Sequence, residues 1–160
     1  MRTALLFAIV VLTGCGSESD RTRSDVDYNE MNRRALGPAQ PIEPEPIRAF
    51  ELAGIGPFTC VVAGEADGEA LFVATPSIGA MRLRGENVRF SPVPSDEQLP
   101  YEIAGRFDGS NYSVELFVDP GTQTSAGPEL TYYIGGMTVR DQHDRVVFEQ
   151  GGRVECGAGG

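Results

Sequence analysis

Hydrophobic and polar positions divide the chain into three stretches. Ala4 to Leu12 is an unbroken apolar run. From Gly16 to about Pro46 there is no apolar periodicity. Polar residues open that stretch, and Pro38, Pro41, Pro44 and Pro46 follow at short intervals, which blocks helix and sheet and favours extended chain. The one apolar interruption, Met31 to Leu36, reads as a transiently ordered linker segment, with a helical turn or a partner-binding motif as alternatives. From about Ile47 the pattern changes to short alternating runs cut by Gly, Pro, Asn and Asp, which is the all-β signature.

Within that last stretch the alternation predicts individual strands. Phe58, Cys60 and Val62 fall on one inward face, and Ala70 to Thr75 is a nearly continuous apolar run. Met81 and Leu83 face in, a turn at Gly85-Glu86-Asn87 follows, and Val88 and Phe90 face in again. Pro92, Pro94 and Pro100 bracket a loop, after which Tyr101 and Ile103 start a strand that ends near Phe107. Asp108-Gly109-Ser110-Asn111 is turn chemistry. The next strand puts Tyr112, Val114, Leu116 and Val118 on one face; Phe117 breaks its polar face and is expected under a loop. Asp119-Pro120-Gly121 is expected to end it, with a polar loop from Thr122 to Pro128. Leu130 to Arg140 predicts a long strand with a bulge or bend at Gly135-Gly136. Asp141 to Asp144 turns into Val146 and Phe148, and Gly151-Gly152 turns into Val154 and Cys156. Eight or nine strands at hairpin spacing, with no amphipathic helix, predict an all-β domain: a small antiparallel barrel or sandwich of about eight strands.

The N-terminal run is about as long as a signal-peptide core and about half of a membrane-spanning helix. Arg2 precedes it, and Leu12-Thr13-Gly14-Cys15 closes it. That quartet resembles the lipobox of bacterial lipoproteins. The resemblance implies cleavage before Cys15, a diacylglyceryl thioether on its sulfur and usually a third acyl chain on its amine. One chain anchors only marginally, at about 0.8 kcal/mol per buried methylene, so two or three give stable attachment. Gly16, where enteric lipoproteins kept in the inner membrane tend to carry Asp, implies the outer membrane, facing the periplasm. The expected organisation is a lipoprotein signal peptide over 1–14, a lipidated N-terminus and flexible Pro-rich linker over 15–46, and a β-domain over 47–160.

Charge narrows the partners. The formal net charge is −10, so nucleic acid is not an expected partner, because phosphate binding needs a basic footprint. Contact with the membrane is expected through lipid on Cys15 alone. All thirteen basic residues are Arg, which excludes Schiff-base chemistry on Lys. With Cys15 lipidated, Cys60 and Cys156 remain, on inward faces near the first and last strands. An exported compartment favours a disulfide between them, tying the ends of the sheet together; the alternative is two buried thiols.

Residues with candidate chemistry are few. His143 is the only His and sits in a polar hairpin turn, with no second His for a zinc set. Ser110 and Ser125 lack the Gly-x-Ser-x-Gly elbow. Asp67, Asp108 and Asp119 sit beside Gly or Pro and read as turns, without the alternate-position spacing of calcium loops. Arg82, Arg84 and Arg89 are the one local charge feature: they share the outward side of a predicted hairpin, as a candidate stripe for an anionic partner or as a solvated face paired to Glu residues. No cofactor or metal is expected. The expectation is a non-enzymatic β-domain that binds or scaffolds a periplasmic protein or a cell-wall component.

Phe58-Thr59-Cys60, the hairpin around Gly85 and the late Cys156 also resemble the membrane-bound inhibitors of c-type lysozyme, lipoproteins with a compact β-barrel. That resemblance implies lysozyme inhibition as the alternative function. The family's Ser-Gly-x-x-Tyr loop has no match: Gly109-Ser110-Asn111-Tyr112 departs from it, so no inhibitory residue carries over.

Overall fold

The structure, a computed structural model, describes residues 31, 35–47, 58–64, 69–94 and 98–158. The expected signal peptide, Cys15, most of the expected linker and Asp67 lie outside the described residues. The chain divides into two units, Met1–Pro38 and Ala39–Gly160.

The second unit is a closed antiparallel barrel. Its strands are β1 (Pro44–Glu45), β2 (Phe58–Ala63), β3 (Ala70–Ala74), β4 (Gly79–Leu83), β5 (Glu86–Pro92), β6 (Gln98–Leu99), β7 (Ile103–Ala104), β8 (Arg106–Asp108), β9 (Tyr112–Ser125), β10 (Leu130–Asp141) and β11 (Val146–Ala158). Eight of them form a ring in the order β4-β3-β2-β11-β10-β9-β8-β5, and pairing of β5 with β4 closes it. Closure removes the exposed strand edges that would template aggregation. β1 is an extra strand: it pairs with Arg82 and Leu83 of β4, beyond the stretch Gly79–Met81 that β3 occupies.

The alternation explains the interior. Val62, Phe72, Met81, Phe90, Phe107, Val114, Met137, Val139 and Val154 are all buried in one cluster. Phe72 packs edge-to-face on both Phe90 and Phe107, with ring centroids 5.7 and 5.6 Å away. The short strands β6 and β7 pair with one another, and Leu99, Ile103 and Ala104 on them join the core. The two-residue turn Arg84-Gly85 links β4 to β5; both residues have positive φ (52° and 79°), the geometry that matches strand twist.

The structure corrects several expectations. The domain begins earlier than Ile47: Ala39 and Ile42 pack on the core, Ile42 N donates to the Val147 carbonyl (3.1 Å), and Ile47 N donates to the Ala70 carbonyl (2.8 Å). Prolines exclude this strap from a central strand, yet its non-proline N–H groups suffice to hold an extended segment against the barrel. β9 does not end at Asp119 but runs to Ser125: Pro120 to Gln123 bulge out opposite Tyr133, Thr124 and Ser125 pair again with β10, and only Ala126 to Glu129 form the connecting turn. There Asp119 Oδ1 accepts from Gly121 N (2.9 Å), and Thr122 Oγ1 donates to the Asp119 carbonyl (2.7 Å) while accepting from Ile134 N (2.8 Å).

Gly135-Gly136 carries no register shift; the shifts in β10 fall at Tyr132/Ile134 and Val139/Arg140. Nor is Gly151-Gly152 a turn, because β11 continues through it, opposite Gly136 and Gly135. Two of the four glycines let β10 lie close to its neighbours: a Cβ on Gly136 would collide with the Gln150 carbonyl of β11, and one on Gly135 with the Phe117 carbonyl of β9. The shift at Val139/Arg140 makes Val147 the extra residue of a bulge, so Val147 is buried and Val146 is exposed. Tyr101 does not start a strand. It lies in a 3-10 turn at φ +62°, stacked on Phe58 with centroids 4.9 Å apart and planes 7° from parallel. Phe58 shares the inward parity of Cys60 but sits at the rim, which leaves it 41% exposed.

Candidate functional site

Among the described residues, core side chains pack the barrel interior. The register lays out the outward face of β9, β10 and β11 in rows. Glu115, Thr138 and Glu149 form one row; Phe117, Gly136 and Gly151 the next; Asp119, Ile134 and Arg153 the third. Phe117 and Ile134 are therefore diagonal neighbours, 54% and 64% exposed. The expected burial of Phe117 under a loop is overturned, because Thr122 to Ser125 belong to β9 and do not fold over it. Two large apolar side chains side by side on a sheet closed against edges mark an interaction surface more than scattered single ones do.

Charged residues frame this pair. Glu115 is held by Arg106 Nη1 (3.4 Å) and Arg140 Nε (3.6 Å). Arg153 Nε meets Glu155 Oε1 at 2.9 Å, and its guanidinium lies 5.0 Å from the centre of the Tyr132 ring. Such exposed pairs contribute about 0–1 kcal/mol each, so they set orientation more than stability.

At one mouth, the β8–β9 and β10–β11 turns enclose two adjoining open clefts of about 330 and 250 Å3. Asn111, Tyr112, Asp141 and Gln142 line both. His143 lies here, its ring 3.4 Å from the Gln142 amide. Asp141 is a structural anchor: its Oδ1 accepts from His143 N (2.9 Å) and Arg145 N (3.0 Å), and its Oδ2 pairs with Arg145 Nη2 (2.6 Å). Burial alone would raise its pKa, but the Arg145 and His143 hydrogen bonds and the Arg145 charge prevail and hold it at about 2. Burial, with a smaller contribution from Tyr101, pushes Tyr133 above the usual phenol range at the opposite mouth. Among the described residues no three His, Cys, Asp or Glu converge on a point where a metal could bind.

The sequence-expected residues fall in separate places. Cys60 and Cys156 are joined by a disulfide in the barrel wall. Arg82 and Arg89 share the outward face of the β4–β5 hairpin as diagonal neighbours, whereas Arg84 sits in the turn itself. Arg82 pairs with Glu45 Oε2 at 3.3 Å. The outward face of β9–β11 was missed. Its signal was Phe117 on a polar face, which only the course of β9 past Asp119 could interpret. No protein-family model, curated protein or solved structure matches this chain.

Proposed function

We propose that the chain is a cell-envelope lipoprotein whose β-barrel is a non-enzymatic binding or scaffolding module, held at a membrane by lipid on Cys15 and facing the periplasm. The outer membrane is the favoured site because Gly16 follows the lipidated residue. The observation that carries the binding reading is the exposed Phe117–Ile134 pair on a barrel whose own interior is filled. Among the described residues the interior is packed with side chains such as Phe72, Phe107 and Met137, which favours recognition at the surface. The Leu12-Thr13-Gly14-Cys15 quartet supports the anchor.

The test is metabolic labelling with radioactive palmitate, followed by membrane fractionation. The expected result is a labelled chain in the membrane fraction, and loss of label and of membrane recovery in Cys15→Ser. An unlabelled chain that leaves the membrane fraction with Cys15 intact would end the anchor reading. Lysozyme inhibition is the second reading. The closed barrel and the bridge between its early and late strands favour it. Stoichiometric inhibition of a c-type lysozyme by the purified protein would establish it.

A further inference from the structure

We propose that the outward face of β9, β10 and β11 pairs with the same face of a second copy of this chain, about a two-fold axis running along β10. The inference rests on reading that face as a binding surface. It goes further because the row register makes the face complementary to itself, as a two-fold contact requires.

A two-fold axis along β10 exchanges β9 of one copy with β11 of the other. Residues on β10 then meet their own counterparts, and Ile134, the most exposed large apolar residue described in the barrel, meets the partner copy's Ile134. Phe117 on β9 faces the partner copy's Gly151 on β11. Gly151 carries no side chain, and a Cβ there would meet nothing nearer than the Gly135 carbonyl, at 4.0 Å. A projecting ring thus faces an open position without a side chain on both sides of the axis.

In the next row, Asp119 faces the partner copy's Arg153. Arg153 uses Nε for Glu155 and its flat face for Tyr132, so its terminal nitrogens remain available for a second carboxylate. Asp119 uses only Oδ1, for Gly121 N, which leaves Oδ2. The row beyond Phe117 sets Glu115 against the partner copy's Glu149, a like-charge pair that bounds the contact on that side. Arg106 and Arg140 offset the Glu115 charge. Two convex barrel walls touch over a small area, so the contact is weak in dilute solution. Confinement of both copies to one membrane raises their effective concentration and favours it.

The experiment uses the full chain in its own membranes under mild oxidation. Ile134→Cys sits on the axis and should give a covalent dimer, doubling the mass on a non-reducing gel. Glu149→Cys lies on the same face but off the axis and should give none. Adding Gly151→Leu to Ile134→Cys places a side chain where the partner copy's Phe117 would sit and should abolish the dimer with thermal stability unchanged. No dimer at Ile134→Cys, equal dimer at both positions, or dimer that survives Gly151→Leu overturns the proposal. A palmitate-labelled chain that fails to cross-link would sink the dimer and leave the anchor standing. An unlabelled chain that cross-links in this pattern would do the reverse.

Discussion

Cys60 and Cys156 stand directly opposite one another on β2 and β11, their Cα atoms 4.1 Å apart and their sulfurs joined. The bridge spans 96 residues of sequence and is fully buried. It joins strands that are already hydrogen-bonded, so it adds little to the folded geometry. Its contribution lies in restricting the unfolded chain. In the chain-entropy model a loop of this length is worth about 4–5 kcal/mol. Denaturant unfolding with and without reductant should therefore show a loss of roughly 4 kcal/mol. Reduction of the native protein should be slow and should accelerate once denaturant opens the barrel. Equal stability of the two forms would mean that the reduced unfolded chain retains structure.

Asp141 contributes to the acid limb of stability. Its folded pKa of about 2 lies below the ordinary 3.8, so the unfolded chain binds more protons between those values. The stabilisation is complete above pH 4 and is lost as pH falls from about 4 to about 2. Replacing Asp141 by Asn should flatten that limb and lower stability at neutral pH by about 1–2 kcal/mol, because the Arg145 guanidinium loses its charge-assisted partner. Urea unfolding at a series of pH values measures both effects. A parent and variant with parallel acid limbs would remove Asp141 from the account.

Period-two alternation made the barrel strands legible. Met81 and Leu83, Phe90, and Val114 and Leu116 are buried where the pattern put them, and Val88 is partly buried against the same core. The pairing of Cys60 with Cys156 was legible from inward parity and an exported compartment. Bulges were not. Each adds or removes a residue from a register that alternation assumes to be uniform, which is why the pattern does not reveal that Val147 is buried while Val146 is exposed. The strap escaped for a different reason. Its prolines report what backbone bonding they forbid, and only the fold shows that Ile42 and Ile47 supply enough N–H groups to seat it. The β9–β11 face needed both kinds of information, the course of β9 beyond Asp119 and the glycine-to-glycine register across β10 and β11.

Those glycines separate by what their missing side chains would strike. A methyl group on Gly136 would run into the Gln150 carbonyl, which belongs to a paired strand and cannot retreat without breaking the ladder. Gly136→Ala should cost about 3 kcal/mol or more. Gly151 faces open space, so Gly151→Ala should fall between neutral and about 0.5 kcal/mol stabilising, through the unfolded chain. Thermal unfolding of the two variants side by side tests the contrast. Similar losses in both would show that chain stiffness, rather than close approach, selects glycine here.

The strap should be held as much by Glu45 as by its apolar residues. Glu45 Oε1 accepts from Gly85 N at 2.9 Å, which caps the β4–β5 turn, and its Oε2 meets Arg82 Nε at 3.3 Å. Glu45→Ala removes both contacts and should cost about 1–1.5 kcal/mol. Arg82→Gln removes the ion pair and should cost less, about 0.5 kcal/mol, since both side chains are partly exposed. The coupling in a double-mutant cycle should stay below about 1 kcal/mol and shrink in high salt. Arg84→Gln and Arg89→Gln, both at exposed positions, should change stability by no more than about 0.5 kcal/mol either way. If all three arginine substitutions instead cost the same, the hairpin would be stabilised by a shared field rather than by the Glu45 contact. The stripe of Arg82, Arg84 and Arg89 would then regain interest as one electrostatic unit.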